Sequence, residues 1–302
     1  MNRRLCAEAL DEIERVVYAD APLPRLIHMI YMTGVSENLP APIQRNLEAI
    51  ERKNPGWSVT LYGDAAIEGL IVSAFGPRTL EVFRLIHMDY SAARADFFRY
   101  LCVFASGGVY LDIKSTTVVA LDEWIMPEDR FILSQWPNGP EDKFSGWGYY
   151  PEISHIRGGE YMQWFIVAAK GHPYLRAVLR EVVSRICLYR ALPLRIGRAG
   201  VRSVTGPIPY SLAVESRRSS ALETQVDVLR QGLLAYSIFD DENGHHVLFK
   251  KHYSMASSPI VPLYGWELLL FRAVRAVGRA EQRFRRSIWV ARVWVARMRF
   301  RR

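Results

Sequence analysis

Apolar residues in the first half of the chain fall into short compact runs separated by stretches with helical spacing. Leu26 to Tyr31, Val59 to Tyr62 and Val109 to Leu111 are dense apolar runs of strand length. Between them, 42–53, 65–73, 77–86 and the stretch through Asp96 place apolar side chains at intervals of three and four, the spacing of helices. Alternating strands and helices predict an α/β fold of Rossmann-like type, with a mainly parallel central sheet flanked by helices. Further along, Phe131 to Ser134 reads as a strand and Tyr161 to Ala169 as a helix. The Gly-, Pro- and aromatic-rich stretch 136–159 reads as a long functional loop over the site. Leu5, Ala9, Ile13 and Val16-Val17 recur at helical spacing and predict a helix packed on the domain.

One block concentrates the candidate chemistry, DYSAARADFFRYLCVFASGGVYLDIKS from Asp89 to Ser115. Asp96 and Arg99 are three apart and share a helix face. Gly107 and Gly108 permit a sharp turn into Val109-Tyr110-Leu111. That run delivers Asp112 to the carboxyl end of a strand, where open α/β sheets bind ligands. An acidic side chain there, with an Asp and an Arg nearby, suits a sugar nucleotide and its metal.

These residues resemble the DXD-containing sugar-transferases of glycosyltransferase family 32, which includes fungal Golgi mannosyltransferases and bacterial surface-polysaccharide enzymes. The family pattern is matched by Ala92-Ala93, Asp96, Arg99-Tyr100, Gly107-Gly108-Val109-Tyr110 and Asp112. Lys114 stands where the second aspartate is expected. Leu23 to Tyr31 resembles the opening strand, with Tyr31 in a Trp position, and Asn54-Pro55-Gly56-Trp57 the turn before the second strand. Ala168 to Pro173, Thr205-Gly206-Pro207 and Lys251-His252-Tyr253 resemble later landmarks, so the likeness spans about 23–262.

The resemblance implies a GT-A fold and a hexosyltransferase using a nucleotide-sugar donor, retaining in outcome, although no residue can be assigned as a catalytic nucleophile. Its acceptor would be a saccharide or lipid-linked saccharide in cell-surface polysaccharide or glycolipid synthesis. Donor binding falls to Tyr31, Asp96, Arg99, Gly108, Asp112 and Lys114. Hard oxygen ligands suit Mn²⁺ or Mg²⁺, which would neutralise charge developing on the diphosphate leaving group. Lys114 leaves three readings open: a metal held by Asp112 with His252, no metal with Lys114 contacting phosphate across a shared strand face, or an impaired transferase. Trp136 and Trp147 are candidates for an acceptor-sugar platform, with loop packing the competing reading. His28, inside an apolar strand, reads as a hydrogen-bonded core histidine. The alternatives to catalysis are a protein that binds nucleotide sugars without transferring them and a membrane-associated scaffold.

Charge and composition add a second theme. The chain has 302 residues, half of them hydrophobic, enough for one substantial core. Three separated cysteines, Cys6, Cys102 and Cys187, suggest no disulfide framework and fit a reducing compartment. Acidic residues interrupt any secretory signal in the first twenty positions, and no apolar run is long enough to cross a bilayer. From Glu267 to Arg302 there are eleven Arg against two Glu, a net of +9, whereas the whole chain carries +8 and the rest therefore about −1. The expected organisation is an N-terminal helix (1–22), a glycosyltransferase domain (23–265) and an Arg-rich amphipathic helical tail (266–302). The tail, with Trp289 and Trp294, suits an anionic membrane surface through 280–302, and a cytoplasmic protein peripheral to the inner face of that membrane. Nucleic acid is not an expected partner, because the body lacks basic character.

Overall fold

In a computed structural model, residues 2–32, 39–190, 196–219, 222–239, 256 and 258–277 are described. The order is α1 (Asn2–Glu14), β1 (Leu26–Ile30), α2 (Ala41–Lys53), β2 (Ser58–Tyr62), α3 (Asp64–Ala74), α4 (Pro77–Leu85), α5 (Ser91–Ser106) and β3 (Gly108–Leu111). There follow β4 (Thr116–Thr117), β5 (Phe131–Leu133), β6 (Phe165–Ala168), α6 (Pro173–Cys187), α7 (Gly197–Val204), α8 (Pro207–Glu215), β7 (Thr224–Gln225) and β8 (Leu234–Ala235). Residues 265–277 are helical; the tail 280–302 and the landmark Lys251-His252-Tyr253 lie outside the described residues.

The main sheet runs β2-β1-β3-β6-β5-β7. Strands β2, β1 and β3 are parallel, with Ile27 opposite both Val59 and Val109. The sheet is only mainly parallel, because β6 runs antiparallel to both β3 and β5. Strand β6 also corrects the expected helix over Tyr161 to Ala169. Phe165 to Ala168 are all buried at the centre of the sheet, so the run shows no alternation, and a short continuous apolar run does not distinguish strand from buried helix.

Strand alternation divides the interior into two layers. Ile30, Tyr110, Ile166, Ala168, Phe131 and Leu133 face the helical side, packing with α1, α3, α4, α5, α6, α7 and α8. Ile27, Met29, Val109, Leu111, Val167 and Ile132 face α2 and an aromatic layer of Trp57, Trp124, Trp136 and Trp164. The N-terminal helix shares the first layer through Cys6, Ala9 and Ile13. Its Glu12, buried, accepts hydrogen bonds from the backbone N–H of Arg78 and Thr79 at 3.1 and 2.7 Å, capping the start of α4. His28 is a core histidine: Nε2 donates to Gly107 O at 2.9 Å and Nδ1 accepts from the Tyr62 hydroxyl at 3.0 Å. Burial lowers its pKa. Asp129 closes the turn before β5. It is buried, accepting from Met126 N–H at 2.8 Å and from the Thr224 hydroxyl.

Candidate active site

Helix α5 ends where Gly107, at φ 73°, turns the chain. Gly108 follows at φ 98°, and a Cβ there would lie 2.5 Å from Leu26 O. The glycine pair thus lets β3 start flush against β1 directly beneath α5. Gly108 itself is at the amino end of β3, a strand length of roughly 13 Å from Asp112. The expectation that Gly108 touches the donor is corrected: its identity answers to strand packing.

Tyr110 and Asp112 are two apart and share the strand face that looks toward α5. The Tyr110 hydroxyl donates to Asp112 Oδ1 at 2.8 Å. From α5, Arg99 Nη2 lies 3.2 Å from that same oxygen and 3.2 Å from Asp96 Oδ1. Arg99 Nη1 donates to Gln163 O at 2.8 Å, and the guanidinium sits 4.8 Å from the Tyr110 ring centroid. Asp96, Arg99 and Asp112 therefore converge as expected. Their roles differ from the expectation, however. The Asp96 and Arg99 side chains are only 6% and 7% exposed, whereas Asp112 is 22% exposed. Asp96 Oδ1 also accepts from Gln163 Nε2 at 3.2 Å, and Oδ2 from the Thr205 hydroxyl at 3.1 Å. Asp96 thus holds Arg99, Arg99 and Tyr110 hold Asp112 Oδ1, and among the described residues no side chain is paired with Asp112 Oδ2.

The electrostatics agree with that order. Burial pushes Asp96 up to about 6, with Arg99 opposing and Asp112 adding to the rise. Burial alone would lower Arg99, but Asp112, Tyr110 and Asp96 outweigh it and hold the guanidinium charge firmly. The Asp96–Arg99 pair is not the weak surface ion pair that i,i+3 spacing alone would allow.

Beyond Asp112 the chain does not continue as a strand. Ser115 N–H and hydroxyl both return to Asp112 O, at 2.8 and 2.7 Å, closing a turn. Helix α2 clamps this turn, since buried Asn46 donates to Ser115 O at 2.8 Å. Lys114 therefore shares no strand face with Asp112. Its Nζ reaches across to the Tyr236 hydroxyl at 2.7 Å. Tyr236, just after β8, is partly buried, and its pKa is raised by burial first and then by Asp112 and Glu160.

The other expected residues are placed as follows. Tyr31 follows β1 at the same carboxyl edge, its N–H donating to Tyr62 O at 3.0 Å. Trp136 is buried in a cluster with Phe144, Trp147, Trp164 and Tyr236, so it presents no free ring face; Trp147 is only partly buried. The acceptor platform over Trp136 is thereby corrected to packing. His252 lies outside the described residues. The landmark Thr205-Gly206-Pro207 gains a reason, because Thr205 binds Asp96 through its hydroxyl and accepts from Tyr100 through its carbonyl at 2.9 Å.

Several residues near the site carried no signal in the sequence. Gln163 and Glu160 precede β6, and Arg198 and Arg202 sit one turn apart on α7. Arg198 acts electrostatically on Tyr236, and Arg202 on Glu160. None belongs to a motif, and only the return of β6 beside β3 and the placing of α7 bring them near the site. Among the described residues, no group of three or more His, Cys, Asp or Glu side chains gathers to hold a metal.

The comparisons with known proteins bear on the same block. Residues 40–131 match the family model described as "Glycosyltransferase sugar-binding region containing DXD motif". An initiation-specific alpha-1,6-mannosyltransferase of Candida albicans is 28% identical over 168 residues, covering 54% of this chain and 43% of that protein. The Schizosaccharomyces pombe protein of that description is 28% identical over 164 residues, covering 51% of this chain and 39% of its own length. The chain thus spans about two fifths of the curated relatives it matches. Among solved structures, the PaToxG glycosyltransferase overlaps with a TM-score of 0.46 and 16% identity, covering 72% of this chain and 75% of that one. The matched block contains α5, β3 and Asp112, so the likeness to the DXD-containing sugar-binding region falls on the residues that build this site.

Proposed function

We propose that the chain is a nucleotide-sugar-dependent hexosyltransferase with Asp112 as its donor-site carboxylate. One observation carries this reading: Asp112 stands at the carboxyl edge of a parallel strand with Oδ1 fixed by Arg99 and Tyr110. Transfer breaks the bond from the anomeric carbon to the diphosphate, so negative charge grows on the leaving group. Lys114, held by Tyr236, is the cation this reading assigns to meet it. Tyr31, at the same edge, suits stacking on the base. The mannosyltransferase relatives make a mannose donor and a mannoside acceptor the first to test, and retention of configuration remains the expectation the family suggests.

The residues fit a Mg²⁺ or Mn²⁺ ion of the kind bound by one carboxylate and completed by substrate phosphates. Asp112 Oδ2 would hold it, and such an ion would neutralise diphosphate charge. A closed, all-protein metal cage does not fit the described residues.

A membrane-associated role is supported by exposed apolar side chains that lead into the Arg-rich tail: Tyr264 (75% exposed), Trp266, Leu269 and Val277. In this reading the protein sits on an anionic inner membrane face, where a lipid-linked acceptor would be presented. The competing reading, a scaffold without transfer, rests on the same surface.

Incubation with a panel of GDP- and UDP-sugars, with and without Mn²⁺, tests the proposal. Slow hydrolysis of one donor is the expected result. Nucleotide-induced thermal shifts without hydrolysis of any donor would favour the binding-only alternative.

A further inference from the structure

Among the described residues, two buried polar atoms near Asp96 and Tyr236 have no hydrogen-bond partner, Oε2 of Glu160 and Nε of Arg202. One is an acceptor and the other a donor. Tyr150 lies between them, with Arg202 Cζ 4.9 Å from its ring centroid; its hydroxyl interacts with both groups, but not in a geometry that gives either orphan atom a hydrogen bond.

The carboxyl is held by a built scaffold. Glu160 N–H donates to Gly148 O at 2.9 Å, and Glu160 Oε1 accepts from Trp136 Nε1 at 2.6 Å. Gly148 has φ 79°, and a Cβ there would meet both Glu160 Cγ and Trp136 Cδ1 at 2.9 Å. The loop therefore closes tightly enough to fix one carboxylate oxygen and leave the other buried and unpaired among the described residues. Unsatisfied buried polar atoms are costly, and a fold retains such a pair when a ligand completes it. A hydroxyl does so with one oxygen, accepting from Arg202 Nε–H and donating to Glu160 Oε2. A phosphate would meet repulsion from the carboxylate, whereas a neutral polyol would not. The partly buried Trp147 and Tyr150 offer aromatic surface beside these two atoms.

We propose that Glu160, Tyr150 and Arg202 form a hydroxyl-recognition subsite for the acceptor saccharide, next to the donor site at Asp112. It rests on the transferase reading and names where that reading's acceptor binds. The groups facing Glu160 are Trp136 and Tyr150 from the loop, Arg202 from α7, Asp96 from α5 and Tyr236 beyond β8. Burial pushes Glu160 up to about 7, the hydrogen bonds and Arg202 oppose the rise, and Asp96 adds to it. Since the ionised form is the better hydroxyl acceptor, saccharide affinity should rise as pH climbs through about 7.

The probe is a set of methyl glycosides (mannoside, glucoside and galactoside), with affinities for the full chain measured by saturation-transfer NMR between pH 5.5 and 8.5. At least one should bind, and Glu160→Gln and Arg202→Met should each weaken it by roughly tenfold, the loss of a hydrogen bond to a charged group. Glu160→Gln should also flatten the pH profile, which a merely structural carboxyl would not do. If Glu160→Gln misfolds, Arg202→Met and the wild-type pH profile still decide. Equal affinities in all three proteins, or no binding of any glycoside, would overturn the subsite and imply that water fills it. Donor hydrolysis with no glycoside binding would sink the subsite alone; glycoside binding without hydrolysis of any donor would sink the transferase reading.

Discussion

At the scale of single residues, the site is a chain of restraint that ends on one partly exposed carboxylate. Gln163 and Thr205 fix Asp96, Asp96 fixes Arg99, and Arg99 with Tyr110 fixes Asp112. Arg99→Met leaves two carboxylates facing each other without their shared cation. Breaking such a buried network costs about 3–5 kcal/mol, so urea unfolding should show a loss of that order. A loss below about 1 kcal/mol, typical of surface pairs, would mean the network is more solvated than its burial implies. Glu160 makes a pH prediction of the opposite kind. Its folded pKa is raised to about 7 from an ordinary 4.5. Its contribution to stability is therefore full below about pH 4.5 and is lost as pH rises through about 7. Glu160→Gln should be more stable than the wild type at pH 8, by at most about 3 kcal/mol, and little different at pH 4.5. A stability difference independent of pH would refute the raised pKa.

At the scale of elements, the α5–β3 unit was legible before any coordinates. The glycine pair, the apolar run and the spacing of Asp96, Arg99 and Asp112 are all local, so periodicity and turn chemistry resolve them. Lys114 was misplaced because the turn after Asp112 depends on Asn46 from α2, nearly seventy positions away. Strand β6 was misread because burial on both faces erases the alternation that identifies a strand. Glu160, Arg198 and Arg202 had no local signature, since each acquires meaning only from where β6 and α7 return. The N-terminal helix shows the same limit: its apolar stripe was visible, but not the role of Glu12 as a cap for α4. Glu12→Ala removes acceptors from two backbone N–H groups and the Thr79 hydroxyl. It should destabilise the protein by about 2 kcal/mol, measured by chemical unfolding. A change within a few tenths would show that water replaces the cap.

Across the whole molecule, a nearly neutral body is followed by a basic end. The first 266 residues sum to about −1 and the last 36 to +9. The helical stretch 265–277 anchors to the core through Phe271 while leaving Trp266 and Leu269 exposed. On this account, removing 280–302 should cut binding to anionic liposomes by at least about tenfold, since each Arg near such a surface contributes about 1 kcal/mol. Donor hydrolysis should survive the truncation. Undiminished liposome binding would remove the tail from the account.

The central claim is that Asp112 serves the leaving diphosphate of a nucleotide sugar. The most direct test is the donor-hydrolysis rate of Asp112→Asn beside the wild type, for the donor that the panel identifies. The side chains are isosteric, and Asn can still accept from Arg99 and Tyr110, so the fold should persist. The predicted result is a loss of about 100-fold or more, the size seen when a key transition-state electrostatic partner is removed. A variant that hydrolyses the donor at the wild-type rate would contradict the claim.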